Sequence, residues 1–193
     1  MNRRHLLTGF VVSALCACST AVPTETPGVT QRSRYVLEYD GPDAKAELLY
    51  RWASTQIGSE WLVLKISLSG ARRVVPEVER SAVRVRTPDG RELPIIEQKE
   101  FREIFQRLRI ALDTMDAWGP PVGRLDHDLA PCTEWFLAPP NSFADRSVLQ
   151  LYPNQWCNGP LVFRVPGGVQ SGRWVLMIDL EESRVRIPFI LGE

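Results

Sequence analysis

Apolar and polar residues alternate along much of the chain, which is the pattern of half-buried β-strands. The segments that show it are residues 35–39, 46–53, 61–68, 82–87, 93–96, 161–165, 174–180 and 185–189. The Pro-Asp-Gly sequence at 88–90 has the chemistry of a tight turn between two of these segments. We therefore expect about seven or eight strands, joined mostly as antiparallel neighbours.

One segment has helical periodicity instead. Between residues 97 and 115 the apolar residues lie three and four positions apart, which predicts an amphipathic helix with a single apolar stripe. Many short strands and one inserted helix predict a mainly β chain, an antiparallel β-sandwich that is immunoglobulin-like in the broad architectural sense. The alternative is an α+β arrangement with the helix lying on one sheet.

The first twenty residues have the composition of an export signal. Arg3, Arg4 and His5 form a basic start, and the ten residues 6–15 are mostly apolar. Such a segment is too short to cross a bilayer as a helix, which takes about 20 residues. The paired arginines also resemble a twin-arginine signal, so that route and the general secretory (Sec) route both stay open for export.

Residues 15–18, Leu-Cys-Ala-Cys, resemble the lipobox of bacterial lipoproteins. The resemblance implies that residues 1–17 are a lipoprotein signal peptide and that Cys18 is acylated after cleavage. Several acyl chains on one residue hold a membrane more firmly than a single chain does. Ser19 implies an outer-membrane location facing the periplasm of a Gram-negative bacterium. The alternative is an ordinary secretory signal with a cysteine at its cleavage site.

The polar, proline-containing residues 18–33 predict the lipidated cysteine and a flexible tether. A single β-rich domain is then expected over residues 34–193 of the 193-residue chain. The chain has 23 basic and 23 acidic residues, and this balance argues against a nucleic-acid partner. The predicted partners are the membrane, through the lipid, and a protein of the cell envelope.

Cys132 and Cys157 are the two cysteines that follow the signal and its lipidation site. In an oxidising periplasm we expect them to form a disulfide bond. A two-thiolate metal or redox site is the alternative. The segment between them also supplies a candidate ligand or partner surface, consisting of Trp135, Phe136, Phe143, Tyr152 and Trp156. The alternative for these aromatic residues is that they fill the core beside the disulfide.

The histidine count restricts the catalytic chemistry that the chain can perform. His5 belongs to the signal, so His127 would be the one histidine of the mature chain. That excludes sites with several histidine ligands. The sequence also has no nucleophile elbow, phosphate-binding loop or dinucleotide fingerprint. We therefore predict no enzymatic activity, no metal and no cofactor, with His127 in a solvated loop.

Arginine outnumbers lysine by 20 to 3, and several arginines take outward positions of predicted strands. The pairs 84/86, 184/186 and 164/173 are candidates for a basic face that binds an anionic partner. The alternative is that they form ion pairs with acidic residues across strands. The predicted function is a non-enzymatic interaction or assembly module of the cell envelope. The alternative is a lipoprotein that binds a small ligand or glycan through the aromatic segment between Cys132 and Cys157.

Overall fold

The structure, a computed structural model, describes residues 26–71, 75–118, 129–143 and 145–192. Cys18, the predicted signal peptide and His127 lie outside the described residues. Within them, strands dominate, and the predicted mainly β, sandwich-like fold is confirmed. No helix in this part of the chain combines the length and apolar content that crossing a bilayer requires.

The described strands range in length from two to ten residues. In chain order they are β1 (Val29–Ser33), β2 (Val36–Asp40), β3 (Ala44–Leu49), β4 (Trp61–Gly70), β5 (Glu77–Glu79), β6 (Val83–Arg86), β7 (Glu92–Pro94), β8 (Ala130–Pro131), β9 (Val148–Gln150), β10 (Gln155–Arg164), β11 (Gly172–Asp179) and β12 (Arg184–Leu191). The α-helix, α1, spans Gln98–Trp118 and matches the predicted helical segment. Short 3₁₀ turns occupy Trp52–Thr55 and Arg80–Ala82.

The strands form two main sheets and one small ribbon. The six-stranded sheet has the order β1-β2-β3-β4-β10-β8, and the four-stranded sheet has the order β12-β11-β6-β7. Strands β5 and β9 pair separately as an antiparallel ribbon. The pairing of β4 with β10 runs from Trp61 opposite Arg164 to Leu68 opposite Cys157. Only β8 runs parallel to its neighbour, β10, among these named strands.

The six-stranded sheet is covered on both faces, since nearly every residue of β4 is buried. The helix lies on the face that carries Val63 and Lys65, whose ammonium is 2.8 Å from Asp116 near the helix end. Leu64 and Ile66 point to the opposite face because side chains alternate along a strand. That face meets the inner side of the four-stranded sheet in one continuous apolar core.

The two sheets are joined at one edge by the residues that lead into α1. Ile95, which follows β7 of the four-stranded sheet, forms a bridge with Phe163 of β10. The next residue, Ile96, donates its backbone N–H to the carbonyl oxygen of Val162 at 3.0 Å. These bonds fix where the helix begins, and its buried stripe, which includes Phe101 and Leu108, then lies against the sheet.

The domain begins earlier than the predicted boundary at residue 34. Residues 29–33, assigned from the sequence to the tether, form the edge strand β1, which pairs with β2. Only Val29 of this strand is buried, and the other four residues are exposed. A strand with one buried residue shows no alternation of apolar and polar positions. Its polar sequence therefore resembles that of a flexible tether.

Candidate functional site

The predicted disulfide between Cys132 and Cys157 is present, and it fastens the edge of the six-stranded sheet. Cys157 lies within β10, whereas Cys132 directly follows the two-residue strand β8. The Cys132 backbone N–H also donates to the carbonyl oxygen of Trp156 at 2.9 Å. The bond therefore holds β8 and the loop after it against β10, in a segment that has little regular structure of its own.

The five aromatic residues of the predicted surface differ in their exposure to solvent. Trp135, Phe136 and Trp156 are buried, Phe136 completely. Phe143 is 91% exposed, and Tyr152 is 39% exposed. Three of the five thus fill the core beside the disulfide, which was the alternative reading of this segment. The predicted ligand or partner surface therefore cannot include all five side chains, because only Phe143 and Tyr152 are exposed.

Trp135 is held by a close approach to β10. Its indole Nε1 donates to the carbonyl oxygen of Pro160 at 2.8 Å. The ring crosses directly over Gly159, where a Cβ atom would lie only 2.4 Å from the indole. The indole therefore supplies a hydrogen bond that a neighbouring strand would otherwise make, and it fits because residue 159 has no side chain.

A glutamine at the start of α1 ties the same segment to the helix. The Gln98 side chain donates from Nε2 to the carbonyl oxygen of Ala138 at 2.7 Å and accepts from the Ala138 N–H at 2.9 Å. Two bonds of this kind copy the pairing between neighbouring strands. Further along, Arg102 lies 3.0 Å from the carboxylate of Asp145. The segment between the cysteines is thus fixed to both β10 and α1.

A cleft of about 640 Å³ opens beside the disulfide, where the β5–β9 ribbon meets the loop after β8. We call it the polar cleft. On one part of its lining, the Tyr152 hydroxyl donates to Gln150 Oε1 at 2.7 Å, and Gln150 Nε2 donates to Glu77 Oε1 at 3.1 Å. An ion pair between Arg146 and Glu134 forms another part. Of the five predicted aromatic residues, Tyr152 alone lines this cleft. Cys132 of the disulfide lines it as well.

The sequence gives no signal for the polar cleft. Glu77 and Gln150 meet although 73 positions separate them. Their pairing depends on the three-residue strands β5 and β9, which are too short to show alternation. Arg146 and Glu134 belong to irregular segments. These functional candidates emerge only from the folded chain.

Arginines do gather on the outward side of the four-stranded sheet, which we call the arginine face. It carries Arg84, Arg86, Arg173, Arg184 and Arg186. Asp179 and Glu92 lie on the same side, which leaves a formal charge of +3. Arg164 does not belong to it, because it lies on β10 of the other sheet and pairs with Glu60 at 2.9 Å.

Asp179 is the centre of the charge network on the arginine face. Arg186 donates to Asp179 Oδ1 at 2.7 Å, Arg84 pairs with the other carboxylate oxygen, and Arg184 lies 3.9 Å away. Partial burial acts to raise the pKa of Asp179, but the three guanidinium groups outweigh it, so its pKa lies below the ordinary value. The predicted pairing of arginines across strands therefore holds for part of this face.

Two arginines keep most of their binding capacity. Arg184 is 77% exposed and only distantly paired. Arg173 is exposed and makes no ion pair with any residue of the described ranges. Between the guanidinium groups lie Val175 and Ile190, which are partly exposed. The face therefore combines free cationic donors with a small amount of apolar surface.

Two carboxylates lie side by side on the face of the six-stranded sheet that carries Val63 and Lys65. Glu38 and Glu47 are directly opposite each other on β2 and β3. Burial raises the pKa of Glu47, and the negative charge of Glu38 raises it further, while Arg32 acts in the opposite direction. Arg32 forms an ion pair with Glu38. The neighbouring strand thus neutralises one carboxylate and leaves the other partly desolvated.

In residues 26–71, 75–118, 129–143 and 145–192, no three His, Cys, Asp or Glu side chains lie close enough together to hold a metal ion.

The chain matches no known protein family, no curated protein and no solved structure. Within the described residues, the polar cleft and the arginine face each present polar groups that a ligand or partner could bind.

Proposed function

We propose that this chain is a lipid-anchored, non-enzymatic interaction module of the bacterial cell envelope. In this proposal Cys18 carries the lipid in the outer membrane, and the domain faces the periplasm. The arginine face docks an acidic protein partner. The observation that carries the proposal is the charge on the outward side of the four-stranded sheet, five guanidinium groups against two carboxylates.

The composition of the arginine face favours a protein partner. Arginine is enriched in protein interfaces because its planar guanidinium forms two parallel hydrogen bonds with a carboxylate. Arg173 and Arg184 have such donors available, and the network around Asp179 holds Arg84 and Arg186 in fixed positions. A charged group that is already ordered loses less conformational entropy when it binds. The face is thus prepared for carboxylates presented by another protein.

The alternative function, ligand binding by the aromatic segment between the cysteines, has less support. It requires several exposed rings, whereas Trp135, Phe136 and Trp156 are buried. The remaining exposed rings are Phe143 and Tyr152, and only Tyr152 lines a cleft. We therefore favour the interaction module.

The test is crosslinking of the tethered chain in intact envelopes, followed by purification and identification of the captured proteins. The informative variant is Arg173→Gln with Arg184→Gln, which removes two charges that contribute little to folding. Arg109→Gln is the matched control, because Arg109 is an exposed arginine on α1 and its nearest carboxylate, that of Asp113, is 3.9 Å away. We expect the double variant to lose most of the specific crosslink while the control retains it.

Equal crosslinking by the double variant and the control would remove the arginine face from the proposal. Capture of anionic lipid, with no protein, would replace the protein partner with a membrane surface.

Cys18→Ala tests the anchor separately, and we expect it to release the protein from the membrane fraction. Retention of that variant in the membrane would contradict lipidation at Cys18.

A further inference from the structure

We propose that the polar cleft is a second binding site, independent of the arginine face, and that it takes a neutral polyhydroxylated ligand such as an oligosaccharide. Its volume, about 640 Å³, is in the range that holds small ligands. The cleft lies at the disulfide edge of the six-stranded sheet, whereas the arginine face belongs to the other sheet. Its occupant is indicated by three properties of its lining: hydrogen-bonding capacity, charge and exposed apolar surface.

The hydrogen bonds of the cleft run in one direction, from Tyr152 to Gln150 to Glu77. The Tyr152 hydroxyl donates its hydrogen to Gln150 and keeps its lone pairs as acceptors. Gln150 Nε2 has a second hydrogen to donate, and the Glu77 carboxylate has a second oxygen to accept. These three side chains therefore offer a ligand both hydrogen-bond donors and hydrogen-bond acceptors. A hydroxyl group, which donates and accepts at once, matches this mixture better than an ammonium or a phosphate does.

The charges of the cleft disfavour an anion. Glu134 and Arg146 compensate each other through their ion pair. Glu77 is bound by the neutral Gln150 amide, and no cationic side chain of the described residues forms an ion pair with it. A phosphate or carboxylate ligand would be repelled, whereas the charge on Glu77 strengthens the hydrogen bond it accepts from a neutral hydroxyl. The cleft and the arginine face thus select different ligands.

The apolar part of the lining fits the C–H surface of a sugar ring. Val148 and Tyr152 are among the few large apolar side chains that are exposed in the described chain, and both line the cleft. Aromatic rings supply broad, rigid contact area at little entropic cost. Cys132, which the disulfide holds to β10, lies on the same lining and keeps the cleft in shape. In this proposal a pyranose ring stacks on Tyr152, and its hydroxyl groups form hydrogen bonds with Gln150 and Glu77.

The proposal is tested by titrating the full chain, produced with Cys18→Ala so that it carries no lipid, with maltotetraose, cellotetraose and tetra-N-acetylchitotetraose. The readout is the side-chain amide resonance of Gln150, identified by its loss in Gln150→Ala. We expect one of the probes to shift it with a dissociation constant of about 1 mM or below. Tyr152→Ala is expected to weaken binding at least about tenfold, and Tyr152→Phe about threefold, because the second change keeps the ring.

Phe143→Ala is the matched control, since Phe143 is an exposed ring of the same segment that does not line the cleft. Phe143→Ala should leave the affinity for the saccharide unchanged. The double variant Arg173→Gln with Arg184→Gln should also leave it unchanged, so a failure of the cleft proposal can be told apart from a failure of the arginine-face proposal. Thermal unfolding of each variant checks that it is folded. The proposal is overturned if no probe shifts the resonance up to about 20 mM. It is also overturned if Phe143→Ala weakens binding as much as Tyr152→Ala does, or if inorganic phosphate binds more tightly than the saccharides.

Discussion

The two main sheets are built from similar alternating sequences but are used differently. In β4, Lys65 and Ser67 interrupt a run of apolar residues, yet both are buried because α1 and its neighbours cover that face. In β6, Arg84 and Arg86 take the equivalent outward positions and stay at the surface. The sheet that is covered twice buries side chains on both of its faces. The sheet that is covered once leaves the arginine face exposed, and this is the face that we propose binds a partner.

The sharpest test of this comparison is to truncate one apolar side chain in each sheet. Phe163→Ala, in the completely buried middle of β10, is expected to cost about 4 kcal/mol of unfolding free energy because it leaves a cavity. Val175→Ala, on the outward side of β11, should cost about 1 kcal/mol or less. Urea denaturation measures both. Equal losses would contradict the view that the outward side of the four-stranded sheet is less tightly packed than the middle of β10.

Removal of the disulfide is the next largest change. Cys132→Ser with Cys157→Ser opens a loop of 26 residues, set by the separation of 25 positions, and should cost about 3.5 kcal/mol on the chain-entropy estimate. We expect the loss of amide protection to be concentrated in β8 and the polar cleft. Hydrogen exchange followed residue by residue is the measurement. If β11 and β12 lose protection first, the bond stabilises the whole domain rather than one edge.

Asp179→Asn sharpens the comparison on the arginine face. It should lower the unfolding free energy by about 1 kcal/mol at neutral pH, because three arginines lose their shared, half-exposed counter-charge. Since the folded-state pKa of Asp179 is lowered, its stabilisation is present at neutral pH and is lost as pH falls through that pKa. The pH dependence should therefore be weaker in the variant.

The same substitution raises the formal charge of the face from +3 to +4, so crosslinking to an acidic partner should increase while stability falls. Reduced crosslinking in a folded Asp179→Asn variant would show that the ordering of Arg84 and Arg186 matters more than the net charge.

The smallest expected effect is at the carboxylate pair of the six-stranded sheet. Glu47→Gln should raise the unfolding free energy at neutral pH by about 0.2–1 kcal/mol, the range for like charges directly opposite each other. Because the folded-state pKa of Glu47 is raised, stability falls as pH rises from the unfolded value, about 4.3, through the folded value. The variant should lack this fall. Glu103→Gln, an exposed substitution on α1, is the control and should change neither quantity.

The sequence predicts the parts of this fold in which one pattern governs many residues. The alternating strands β10 to β12 and the three-and-four spacing of α1 were predicted because burial repeats along them. The disulfide was predicted from cysteine number and compartment. Strand β1 was missed because Val29 is its one buried residue. The ribbon of β5 and β9 was missed because three residues show no period.

The candidate sites were harder to predict than the fold. Aromatic residues indicate contact area, but composition does not say whether a ring faces the core or the solvent, and Trp135 and Tyr152 differ in this respect. The arginine pairs at 84/86 and 184/186 were grouped correctly because their strands alternate. Arg164 was grouped wrongly, since strand order cannot be inferred from alternation.

The indole of Trp135 over Gly159 has a consequence for how this protein can change over evolutionary time. Any side chain gained at position 159 must displace the ring, and the carbonyl of Pro160 then loses its donor. A smaller residue at position 135 removes the obstacle but leaves a space that a larger residue at 159 can fill. Positions 135 and 159 should therefore vary together among relatives, with tryptophan found only beside glycine.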